Sequence, residues 1–125
     1  MNSKLLGTWG EEKAAKFLQG KGYKIVGMNY KNRFGEIDII AERRNLVIFV
    51  EVKTRRDDNF AEAREFVDDG KKVRIVTVAG MWLVEHQKEV QPRFDVIEVY
   101  APNGTDTDNP RINHIMNAFG AKGHE

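Results

Sequence analysis

A single α/β domain, with helices flanking a central mixed β-sheet, is the architecture this chain predicts. Three observations lead to it. Residues 3–20 carry small and apolar side chains at helical spacing. Three strand-length apolar runs follow, joined by connections of hairpin length. A second helix-period segment, 71–87, then separates those runs from further strands, so the order reads α-β-β-β-α-β-β and suits a sheet covered by helices.

In the first helix, Ser3 is a suitable N-cap, and Gly20 with Gly22 supplies the stop. Leu6, Gly10, Ala14, Phe17 and Leu18 form its inner side. Its adjacent glutamates point differently. Glu12 shares a polar row with Thr8, Lys16 and Gln19, whereas Glu11 shares a row with Gly7, Ala14, Ala15 and Leu18 and leans inward.

The next three runs, 23–31, 35–41 and 46–53, read as strands of an antiparallel meander, with Arg33–Gly35 and Glu42–Asn45 as the connections. Thr54–Asn59 reads as a charged loop and 61–68 as a short helical piece. Residues 73–78 have β propensity, but Ile75, Val78, Ala79, Trp82, Leu83 and His86 trace one helix face, and 71–87 is too long for one strand. Gln91-Pro92 ends that helix. Arg93–Tyr100 is a strand, APNGTDTDNP a turn-rich loop, and Arg111–Met116 a last strand.

At 125 residues, 41% hydrophobic and 31% charged, the chain has the composition of a soluble globular domain. It contains no cysteine, which removes disulfides and thiolate zinc sites, and its three histidines lack ligand spacing. No apolar run reaches membrane-spanning length, and the N-terminus does not resemble a signal peptide, so a cytoplasmic location is expected. A net charge of +1 says little about partners, but basic residues cluster at Arg43-Arg44, Lys53/Arg55-Arg56 and Lys71-Lys72/Arg74. Such clusters are commonly no more than solvated surface.

The stretch FGEIDIIAERRNLVIFVEVKTR, 34–55, sets Glu36, Asp38, Glu51 and Lys53 into or against two apolar strands. Alternation puts Glu36 with Asp38 on one face, Ile37 with Ile39 on the other, and Glu51 with Lys53 together on the next strand. Pairing through the Glu42–Asn45 turn brings Asp38 near Glu51. Two carboxylates that close cannot both stay ionised in a partly buried site without help, and a hard divalent cation supplies it. Lys53 then stands where an ammonium would meet a phosphate. The plainer alternative is a charged cross-strand ladder on a solvent face. Asp95, within an apolar strand, reads as a structural hydrogen-bonding group, and Trp9 and Trp82 read as core.

Asp38 with the run VEVK, 50–53, resembles the metal site of the PD-(D/E)XK nuclease superfamily, which includes restriction enzymes and Holliday-junction resolvases. More closely, the chain resembles the YraN-type family of small bacterial proteins, through LGTWGEE (6–12), GY (22–23), NY (29–30), FGEIDII (34–40), VEVKTR (50–55), AEA (61–63), RFDV (93–96) and NAF (117–119). The resemblance implies a restriction-endonuclease-like fold and an Mg²⁺- or Mn²⁺-dependent endonuclease acting on DNA, branched or structured DNA included. It implies Asp38, Glu51, the Val52 carbonyl and Glu11 as metal ligands, and Lys53 as the catalytic lysine beside Asp38 and Glu51. Glu36 fits the family without an implied role. Arg55, Arg56, Lys71 and Lys72 are the expected phosphate contacts. A non-catalytic nucleic-acid-binding module of the same fold is the alternative, with a purely structural protein a more distant one; a homodimer is left open.

Overall fold

The computed structural model of the chain describes residues 3–56 and 68–120. Helix α1 (Ser3–Gly20) leads into strands β1 (Lys24–Asn32), β2 (Gly35–Arg43) and β3 (Leu46–Arg55). Helix α2 (Asp69–Glu85), β4 (Pro92–Tyr100), a short 3₁₀ turn at Gly104–Asp106 and β5 (Arg111–Phe119) complete it. One five-stranded sheet runs β1-β2-β3-β4-β5. Every neighbouring pair is antiparallel except β3 and β4, which are parallel and flank α2 in the chain. This is the mixed sheet between helices that a restriction-endonuclease-like fold requires.

The two helices cover opposite faces. Ala14 and Leu18 of α1 pack on Ile39, Ala41, Ile48, Val50, Ile97 and Val99. Ile75, Val78, Ala79 and Trp82 of α2 pack on Val47, Phe49, Phe94 and Val96. Strand β3 therefore sends alternate side chains into two cores, which is why Leu46–Val50 is apolar throughout. The helical period in 75–82 prevails over local β propensity because it aligns four buried side chains on one stripe.

Local geometry sets how α1 lies on the sheet. Lys21, Gly22 and Tyr23 N–H groups donate back to the carbonyls of Leu18 and Gln19, and Gly22 takes a φ of +91° to close the helix. At Gly10, an added Cβ would fall 1.9 Å from Thr54 Oγ1. The missing side chain thus lets α1 sit directly on β3 and delivers Glu11 to that neighbourhood.

Several boundaries differ from the sequence expectation: β1 and α2 are shifted by one or two residues, and β2 runs to Arg43 instead of ending at Ala41. Thr54 and Arg55 extend β3 instead of opening a loop, paired in register with Val99 and Tyr100 of β4. Strand β5 runs three residues beyond Met116, to Phe119, because Phe119 packs into the α2-side core. The short helical piece expected at 61–68 falls outside the described residues apart from Asp68, which caps α2. No helix among the described residues is long and apolar enough to cross a membrane.

Candidate active site

The β2–β3 ladder closes at Ile39 opposite Val50, and Asp38 and Glu51 are the next residues on each strand. The ladder diverges there. The Val52 N–H, which points towards β2, donates to Asp38 Oδ2 at 2.8 Å instead of to a backbone carbonyl. In a strand the N–H and C=O of one residue point to the same edge, so the Val52 carbonyl faces the same gap. On the other side of β2, Asn29 takes a φ of +50° at the position facing Asp38 in the β1–β2 register.

This irregularity corrects the expectation of strict alternation. Ile37 joins the α2-side core and Ile39 the α1-side core, so they do not share a face. Alternation is interrupted at Asp38, the residue that leaves the ladder. Glu36, beyond it, stands exposed, opposite Lys31 of β1 in the strand register.

Glu51 is only 4% exposed. Its Oε2 accepts from Lys71 Nζ and lies 3.8 Å from Lys53 Nζ. Lys71 reaches it from the first turn of α2, where Asp68 caps the helix by accepting from the Lys71 N–H at 2.8 Å. Burial, then the charge of Glu51, pushes the Asp38 carboxyl up to about 8; the Val52 N–H opposes the shift and the charge of Glu11 adds to it. Burial alone would lower the Lys71 ammonium, but the hydrogen bond and charge of Glu51 outweigh it and raise it. Glu51 is therefore met by two lysines, while its charge and burial together oppose ionisation of Asp38 beside it.

Of the expected site residues, the structure brings Asp38, Glu51, Val52 and Lys53 together at this divergence. Glu11 comes within electrostatic reach of Asp38, and its Oε1 accepts from Asn29 Nδ2 at 3.0 Å, while Glu12 is exposed. Among the described residues, no three His, Cys, Asp or Glu side chains converge as a ready metal cage. Two carboxylates and a carbonyl nevertheless suit Mg²⁺, which binds through one or two carboxylates and keeps water and substrate phosphate as its other ligands.

The expected phosphate contacts divide. Arg56 is exposed at the end of β3. Lys72 is half-buried, with Nζ 3.6 Å from Asp69 Oδ1. Arg55 departs from expectation: it is 8% exposed and its Nε donates to Glu98 Oε2 at 3.0 Å, so it belongs to the interior. The cause is the extra length of β3, which points Arg55 at buried Glu98. Lys71 also differs, since its first partner is Glu51. Sequence reading placed it among surface cations; the available signal was Asp68 three residues before it, an N-cap that puts Lys71 in the first helical turn.

The model of the uncharacterised protein family UPF0102 matches residues 10–99, a span that contains all these site residues. A UPF0102 protein of Caldanaerobacter subterraneus subsp. tengcongensis is 46% identical over 120 residues, covering 95% of this chain and 98% of that one. A UPF0102 protein of Clostridioides difficile is 44% identical over 120 residues, covering 95% and 100%. One of Syntrophomonas wolfei subsp. wolfei is 39% identical over 115 residues. With that extent of similarity, and the motifs that mark the YraN type, the chain belongs to the UPF0102 family.

Proposed function

We propose that this protein is a divalent-metal-dependent endonuclease that hydrolyses phosphodiester bonds in DNA, branched or structured DNA included. The observation that carries the reading is the meeting of Asp38, Glu51 and Lys53 where β2 leaves β3. Asp38, Glu51 and the Val52 carbonyl would hold Mg²⁺ or Mn²⁺. A bound ion of this kind polarises a phosphoryl oxygen and makes its water a nucleophile near neutral pH.

The side chains divide the remaining work. Lys53 is on the same face of β3 as Glu51, with 28% of its side chain exposed, so its ammonium can meet a phosphate arriving from solvent. There it stabilises negative charge that grows as the phosphorus–oxygen bond breaks. Arg56 and Lys72 add phosphate contacts whose strength falls with salt.

Purified protein should be incubated with labelled duplex, single-stranded, flap and four-way-junction DNA in Mg²⁺ or Mn²⁺. At least one substrate should be cut, with no cutting in EDTA or by Asp38→Ala. Absence of cleavage on every substrate would remove the enzyme reading. One observation favours a non-catalytic nucleic-acid-binding module instead: Glu51 has an ammonium partner within the chain, Lys71. DNA binding that ignores both EDTA and Asp38→Ala would establish that second reading.

A further inference from the structure

The acid pair has a cation of its own. Glu51 Oε2, in a side chain only 5% exposed, accepts from Lys71 Nζ, and Lys53 Nζ stands 3.8 Å from the same oxygen. Lys71 is fixed at both ends. Its backbone N–H donates to Asp68 Oδ1 at 2.8 Å, and Lys72 N donates to the Asp68 carbonyl at 2.9 Å, so the first turn of α2 aims the side chain at the pocket. Asp38, on the diverging strand, adds its carboxylate to the same neighbourhood.

An ammonium and a hard divalent cation want the same thing from a carboxylate, a short contact with an oxygen lone pair. They cannot both have it at Glu51 Oε2, because cations a few ångströms apart in a partly buried site repel strongly. We propose that Lys71 is a built-in cation of the Asp38–Glu51 pair, seated on Glu51 until a divalent metal ion displaces it. The proposal rests on the metal-dependent reading above and adds a residue which that reading does not assign to the metal site. The displaced ammonium stays on the first turn of α2, on the Lys53 side of the sheet, where a substrate phosphate can take the place of Glu51. Metal loading and phosphate recruitment are then linked through one side chain.

The test compares wild type with Lys71→Met, which keeps the length and removes the charge, and with Lys71→Gln, which still donates one hydrogen bond. Mn²⁺ affinity is read by calorimetry, and melting temperature in EDTA and in saturating Mn²⁺. Lys71→Met should bind Mn²⁺ about tenfold tighter, because no bound cation has to leave. It should melt below wild type in EDTA, and saturating Mn²⁺ should close the gap. Lys71→Gln should move both quantities in the same direction by less. Unchanged or weaker Mn²⁺ binding in both variants overturns the proposal, as does a melting loss equal with and without Mn²⁺, which would make Lys71 a packing residue only. If wild type binds Mn²⁺ and cuts DNA while neither variant binds tighter, the displacement idea falls and the endonuclease reading stands. If Lys71→Met binds tighter while wild type cuts nothing in any metal, displacement stands and the endonuclease reading falls.

Discussion

Asp38 on β2 and Asp95 on β4 are flanking acids in one sheet, separated by β3, and their surroundings are opposite. Asp95 is fully buried and accepts from Arg93 Nε at 2.9 Å, Arg93 Nη2 at 2.8 Å, His114 Nε2 at 2.8 Å and the Asn117 N–H at 2.9 Å. Lys21 Nζ lies 3.0 Å from His114 Nδ1. An ammonium can only donate, so Nδ1 accepts and Nε2 carries the proton given to Asp95. Burial would raise Asp95, but the hydrogen bonds from His114, Arg93 and Asn117 prevail and hold it below the usual carboxylate range. Asp38 accepts from the Val52 N–H, has Glu51 and Glu11 as acidic neighbours, and is pushed up instead. Charge burial that is fully answered by donors builds framework. Charge burial answered by further acid makes a place for a cation.

One cation from each region should separate the regions most widely. Lys53→Ala should reduce cleavage by about a thousandfold, the scale of losing one transition-state charge stabiliser, with Mn²⁺ affinity unchanged or raised. Arg93→Ala should leave the catalytic rate per folded molecule nearly intact and lower the melting temperature. Single-turnover cleavage and thermal melts read both. Cleavage by Lys53→Ala at the wild-type rate would remove the lysine from the chemistry.

The acids themselves come next. Asp95→Asn presents an NH₂ to groups that all donate, and should cost about 3 kcal/mol in urea unfolding, as breaking a buried charge network does. Asp38→Asn, in EDTA, should be neutral or stabilising, because it removes a carboxyl held in an unfavourable place. Equal losses would make Asp38 a framework residue like Asp95 and break the comparison.

This contrast explains how much could be read from the sequence. Element order, helix periods and the approach of Asp38 to Glu51 follow from patterns within a few residues and from one short turn, Arg44-Asn45, with Arg44 at a φ of +57°. The structural role of Asp95 was readable too, because an acid between apolar strand residues must be answered by donors. What could not be read depended on partners distant in the chain. The fate of Arg55 hangs on Glu98, 43 residues away, and the seat of Lys71 on Glu51, 20 residues away. The break in alternation at Asp38 arises from strand divergence, which no period-2 pattern announces.

The pH dependence sharpens the comparison further. Unfolded, Asp38 titrates near 3.8, and folded near about 8, so between those values the folded state holds an extra proton. Stability from this group therefore falls as pH rises across that window. Asp95 has the reverse sign: its contribution is present above the unfolded carboxylate value and is lost as pH falls through its depressed folded value. In EDTA, wild type should lose stability relative to Asp38→Asn as pH rises from about 4 to about 8. Saturating Mn²⁺ should reverse that slope, because the metal takes the ionised form and releases the proton. Parallel pH curves for the two proteins, with and without metal, would show that Asp38 is not the titrating group.

The smallest expected effect is on α1, where neighbouring glutamates should behave differently. Glu11 is half-buried, accepts from Asn29 Nδ2, and adds its charge to the field that raises Asp38; Glu12 is exposed on the polar row. Glu11→Gln keeps the shape and can keep a hydrogen bond to Asn29, but it removes the negative charge. Mn²⁺ affinity should fall by a few-fold, about the strength of one charge acting through a partly solvated gap. The pH at which Asp38 ionises should also move down, since one of the charges opposing its ionisation has gone. Glu12→Gln should change neither, because exposed charges at greater distance are screened. Calorimetric Mn²⁺ titrations at several pH values separate these outcomes. Equal effects from the two substitutions would mean that Glu11 acts only through net charge, and that the helix row leaning towards the sheet does not bring it into the site.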